Sequence, residues 1–173
     1  MLFRSVEDVI QALALVARRR NDIRLRIVGD GPERQRLVAL AQNLGVTAIC
    51  EFVGRVPHDY IVEEYRKADV LVSASASETY GMSLLEAMAC GLPVIAARND
   101  GSAEIVEDEH TGYLYAIGDV SELAKGMGQL CDGADVVHMM GEAARARVGR
   151  IFAWKTVAEK IKYIYKNNIA QND

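Results

Sequence analysis

Large aromatic side chains are scarce in this 173-residue chain, at 6% of residues, although half of the sequence is hydrophobic. Alanine, valine, leucine and isoleucine must therefore fill the interior, a composition that fits a parallel sheet covered by helices. There is no basic excess. Twenty lysines and arginines face 24 aspartates and glutamates, a formal net charge of −4, which argues against the positive footprint of a nucleic-acid binder. Cys50, Cys90 and Cys131 are odd in number and widely spaced. Neither a disulfide framework nor a zinc site follows, and a reducing cytoplasm is the expected compartment. No apolar run is long enough to span a bilayer, and "MLFRSVEDV" lacks the apolar core of a signal peptide. His58, His110 and His138 stand apart without an i,i+4 pair, so no metal is expected.

What is present is an alternation of short apolar strands with helical patterns. Val6, Val9, Ile10, Leu13, Val16 and Ala17 recur at helical spacing. "IRLRIV" reads as a strand, Leu37, Leu40, Ala41 and Leu44 as a helix, and "AICEFVG" as a strand. "PHDYIVEEYRKA" predicts a short helix and "DVLVSAS" a buried strand. Helix 82–90, strand "PVIAA", a turn or two of helix at "SAEIVED" and strand "TGYLYA" follow. Helices over 120–131, 135–150 and 154–167 close the chain. The expectation is one α/β domain over residues 1–173, with a parallel sheet covered on both faces. In such open sheets ligands bind beyond the carboxyl ends of the strands, here the loops 29–32, 54–58, 75–82 and 97–101.

Within "SETYGMSLLEAMACGLPV" two carboxylates, Glu78 and Glu86, flank the start of a helix. Gly81 permits a tight turn, and the N–H groups of Met82, Ser83 and Leu84 lie at the helix start, where a diphosphate is readily held. Carboxylates repel phosphate but accept hydrogen bonds from hydroxyls. A nucleotide sugar offers both chemistries: phosphates in the middle, ribose and sugar hydroxyls at the sides. Two plainer readings compete. Ser83-x-x-Glu86 fits a capping box, and Glu78 alone fits a solvated loop acid. "GDGP" lacks the third glycine of a dinucleotide fingerprint, so no nicotinamide cofactor is expected.

The ordered set "RIVGDGPE", "FVGRVP", "YRKADVLVSAS", "ETYGMSLLE" with its E-x7-E spacing, "AMACGLPVIA", "EIVEDEHTGYLY" and "FAWKTVAEKIKYIY" resembles the C-terminal, donor-binding domain of retaining glycosyltransferases with the GT-B fold. This is the group that includes glycogen synthases and bacterial mannosyltransferases. The resemblance implies a Rossmann-like domain, one half of the two-domain enzyme, that takes a hexosyl unit from a nucleoside-diphosphate sugar. It implies no bound metal and no cofactor other than that donor substrate. By the same resemblance Glu78 lies at the reacting centre and Glu86 binds the ribose. Thr79, Tyr80, Gly81, Met82 and Ser83 form the turn that meets sugar and diphosphate, and Gly54, Arg55 and Val56 border the base.

Two family features are not found. By the resemblance, the N-terminal acceptor domain is expected to lie outside these 173 residues, and "MLFR" leads straight into the first helix where a strand and a "GR…K" phosphate loop usually come first. The sheet is therefore expected to have five strands, with a gap or a substitute strand from residues 1–4. The hydroxyl acceptor would bind through the missing domain. Two alternatives stand beside the transferase: a nucleotide-binding module inactive in isolation, and a GT-B relative such as a sugar-nucleotide epimerase. Lys155, Lys160, Lys162 and Lys166, with Arg145, Arg147 and Arg150, make the C-terminal third basic. A solvated helix face is the favoured reading over contact with an anionic membrane.

Overall fold

The predicted alternation takes the form of five parallel strands and eight α-helices in the computed structural model, which describes residues 5–169. In chain order they are α1 (Ser5–Ala17), β1 (Leu25–Val28), α2 (Arg34–Asn43), β2 (Cys50–Gly54), α3 (Ile61–Arg66), β3 (Leu71–Ser73), α4 (Met82–Ala89), β4 (Val94–Ala97), α5 (Asp100–Ile105), β5 (Gly112–Tyr115), α6 (Val120–Asp132), α7 (Ala134–Ile151) and α8 (Trp154–Ile169). Single 3-10 turns precede β2 and α3.

Strand β4 shows how the sequence specifies the layers. Its four residues, Val94 to Ala97, are all buried. Ile95 and Ala97 enter one core with Val9, Ile10, Leu13 and Val16 of α1, Ala41 of α2 and Leu123 of α6. Val94 and Ala96 enter the other, with Leu84, Ala87 and Met88 of α4, Ile105 of α5 and Ala144 of α7. Alternate side chains point to opposite faces of a strand. A strand with helices on both faces therefore reads as an unbroken apolar run.

The strands form two sheets, β1-β2 and β3-β4-β5, parallel throughout. Among the described residues no strand links them; they are joined through side chains of the shared core. The expected five strands are present among the described residues, while the choice between a gap and a substitute strand falls on residues 1–4, outside the described residues. One expectation is corrected. "DVLVSAS" yields only the three residues of β3, and each is half-buried, not buried. The physical reason is that, among the described residues, β3 pairs with β4 alone and forms the edge of its sheet.

Helix α7 approaches the end of α4 closely because Gly141 has no side chain. A Cβ there would lie 2.1 Å from the carbonyl oxygen of Gly91. Helix α8 behaves differently. From Ala158 to Lys166 every residue is exposed, and Trp154, Tyr163 and Tyr165 are all largely in solvent. None of the described helices is long and apolar enough to cross a membrane.

Two substitutions in α7 should have opposite signs. Gly141→Ala forces backbone apart and should destabilise by about 1–3 kcal/mol, the usual cost of overpacking. Gly149→Ala meets open space and should stabilise by about 0.5–1 kcal/mol through helix propensity. Urea unfolding of both variants checks the pair; equal shifts would contradict the tight α7 contact.

Candidate functional site

The loop between β3 and α4 is closed by its own acid. Gly81, the residue before α4, adopts a left-handed conformation, φ 62° and ψ 41°. Its N–H donates to Glu78 Oε1 at 3.0 Å. Glycine is required twice over here. The left-handed region disfavours a side chain, and a Cβ at this point would lie 2.4 Å from Ile105 Cδ1. No side chain caps the helix. Beyond Gly81 the amides of Met82, Ser83 and Leu84 have no hydrogen-bond partner among the described residues. These first N–H groups of a helix carry its positive partial charge. Thr79, Tyr80, Met82 and Ser83 are exposed, while Gly81 and Leu84 between and behind them are buried.

Glu86 lies further along α4, half-buried. Its Oε2 accepts a hydrogen bond of 3.1 Å from the Tyr65 hydroxyl of α3. The capping-box reading of Ser83 and Glu86 is therefore set aside: Gly81 occupies the cap position, and Glu86 is engaged elsewhere. Burial, and then the charge of Glu86, raise the Tyr65 hydroxyl well above its ordinary pKa. It remains a proton donor throughout the physiological range.

Each carboxylate thus commits one oxygen to the fold, Oε1 of Glu78 and Oε2 of Glu86. The other oxygen of each has no hydrogen bond among the described residues. Gly54 ends β2, and its carbonyl accepts from Gly29 N at 2.8 Å, which ties the loops after β1 and β2 together. Arg55 next to it is exposed and makes no ion pair among the described residues, and Val56 is half-buried. The 78–83 turn and the 54–56 loop both follow the carboxyl ends of parallel strands, but they belong to different sheets.

Three contributors escaped the sequence reading. Tyr65 is one. Asn99, the cap of α5, donates from Nδ2 to Ser75 O at 2.9 Å and so ties the loop after β4 to the loop after β3. Gly101 lets α5 press against the Glu78 backbone, since a Cβ there would lie 2.1 Å from the Glu78 carbonyl oxygen. "NDGS" carries the signal of a capped helix start, but not its contact. Two hollows lie elsewhere on the described residues. One of about 400 Å³ is on α8, and one of about 160 Å³ lies between Glu107 and Arg147.

Comparison with known proteins matches this architecture. Residues 4–147 match the family model described as "Glycosyl transferases group 1". The chain is 35% identical over 160 residues to the N-acetyl-alpha-D-glucosaminyl L-malate synthase of Bacillus anthracis, covering 92% of this chain and 41% of that protein. Among solved structures it resembles the sucrose-phosphate synthase of Thermosynechococcus elongatus, with a TM-score of 0.80, 30% identity, and coverage of 94% of this chain and 42% of that one. It also resembles the Anabaena protein HepE, solved in complex with UDP-glucose, with a TM-score of 0.78, 26% identity, and coverage of 91% and 44%. The chain thus spans about two-fifths of the length of these proteins.

The Tyr65–Glu86 bond generates a stability test. Tyr65→Phe should lower unfolding free energy by about 1 kcal/mol, the typical net worth of an intramolecular hydrogen bond, as read by urea titration at neutral pH. An unchanged midpoint would mean that Glu86 is not held by this hydroxyl.

Proposed function

The chain belongs to the group 1 glycosyl transferases, and we propose that it is the nucleotide-sugar-binding domain of an enzyme that moves a hexosyl unit to a hydroxyl acceptor. The transfer proceeds with retention at the anomeric carbon and without a metal ion. One observation carries the reading: the start of α4 at Gly81 has no side-chain cap, and the carboxylates that flank it in sequence, Glu78 and Glu86, each have an oxygen to spare.

The chemistry follows from those groups. The amides of Met82, Ser83 and Leu84 receive the diphosphate, and they stabilise it most as it departs and gains charge. Glu78 Oε2 accepts from hydroxyls of the donor sugar and so orients the anomeric carbon. Glu86 Oε1 accepts from the ribose, while Tyr65 holds the other oxygen of the same carboxylate. Gly54, Arg55 and Val56 border the base, and Thr79 and Tyr80 edge the sugar. UDP is the first candidate nucleotide, because HepE is a similar protein solved with UDP-glucose. The acceptor is bound by the part of the parent enzyme that this chain does not span. The three cysteines are all free, which supports a reducing, cytoplasmic setting. In isolation the chain binds donor without turning it over.

Calorimetry with UDP, GDP and ADP, and with their sugars, tests the base and the pocket together. One series should bind and raise apparent stability; a chain that binds none of them is not a donor domain. Glu86→Ala should lose about tenfold or more in affinity for the ribonucleotide, the worth of a hydrogen bond to a charged group. It should lose nothing for the 2′,3′-dideoxy analogue. In the full-length parent Glu78→Gln should cut kcat about a hundredfold, in the range expected for lost positioning of a reacting group. Undiminished turnover would remove Glu78 from the reacting centre.

A further inference from the structure

Helix α5 is only six residues long, yet it bears on both parts of the mouth. Gly101 presses on the Glu78 carbonyl, and Ile105 fills the space beside Gly81. Its amino end is fixed by Asn99, which bonds to Ser75 and Ala97. Its carboxyl end is fixed from a distant helix. Arg147 of α7, with a side chain only 18% exposed, donates from Nε to Ile105 O at 2.7 Å and from Nη2 to Glu104 O at 3.0 Å. Its third arm reaches Glu107 Oε2 at 3.2 Å. The last carbonyls of a helix lack internal partners. A cation there satisfies them and complements the helix dipole. Only a guanidinium places two parallel donors on two successive carbonyls; an ammonium is a point charge.

We propose that Arg147 is a positioning residue for the donor site, acting through α5 on Glu78 and Gly81; this rests on the donor-site reading above. Arg147 touches no substrate. It sets how far α5 is pushed against the turn, and with it the placement of the Glu78 carboxylate and of the amides after Gly81. Glu86 is outside this chain of contacts, since Tyr65 of α3 holds it. Loss of Arg147 therefore weakens the hold on diphosphate and sugar and spares the hold on ribose and base.

The test is calorimetry of the 173-residue chain with UMP, UDP and UDP-glucose, with the guanosine and adenosine series run alongside. Arg147→Met should bind UDP-glucose about tenfold more weakly while its affinity for UMP stays within about twofold, since a misplaced group loses its contacts selectively. Arg147→Lys should show the same pattern and carries the comparison if the methionine variant does not fold. Gly101→Ala, which displaces Glu78 directly, supplies the reference signature. Arg145→Met, an exposed neighbour on the same helix, should match the unmodified chain. A parallel fall for UMP and UDP-glucose, or no change in either, overturns the positioning role. If the unmodified chain binds no member of any series, the donor-site reading falls, and this proposal with it.

Discussion

A residue without a side chain, bent into the left-handed region at the head of α4, is the constraint on which the rest of the site depends. An ordinary cap, serine or aspartate, would have taken the second or third amide of the helix for itself. Gly81 takes none, and its own N–H is turned to Glu78. The amides that follow are left for a ligand. The space that a Cβ would need is filled by Ile105, so the vacancy on the helix is bought with close packing behind it. The binding surface and the core are two sides of the same residue.

The parallel sheets supply the second requirement. Within each sheet every strand ends on the same side, and the loops that follow are cross-tied by Gly29 to Gly54 and by Asn99 to Ser75. Irregular backbone that would otherwise wander is held against neighbours. The two glutamates are held as well, each by one oxygen, which reduces the freedom lost when a ligand engages the other oxygen.

Much of this was legible in the residues. The helical spacing of α1 and the apolar run of β4 gave the layers, and the E-x7-E pattern with its glycine gave the mouth. What was hidden depends on distance along the chain. Tyr65 meets Glu86 across 21 residues, Asn99 meets Ser75 across 24, and Arg147 meets Ile105 across 42. Local propensity carries no record of such pairings. The shortness and half-burial of β3 were harder to read, because the run Val70–Val72 is apolar and only the strand's place at the edge of the described sheet exposes it. Ser83 and Glu86 mimic a capping box in spacing alone; the real cap is decided by backbone geometry two residues earlier.

The division of the strands into a pair and a triplet has a mechanical meaning. Among the described residues, the loop at Gly54 rides on one ribbon and the turn at Gly81 on the other, and no ladder of amides rivets the ribbons together. Their separation is set by the greasy seam in which α1 lies against α2 and α6. Such a seam lacks the fixed registry that paired backbones impose. Among the described residues the two loops are therefore coupled through packed side chains and not through a shared ladder of backbone hydrogen bonds.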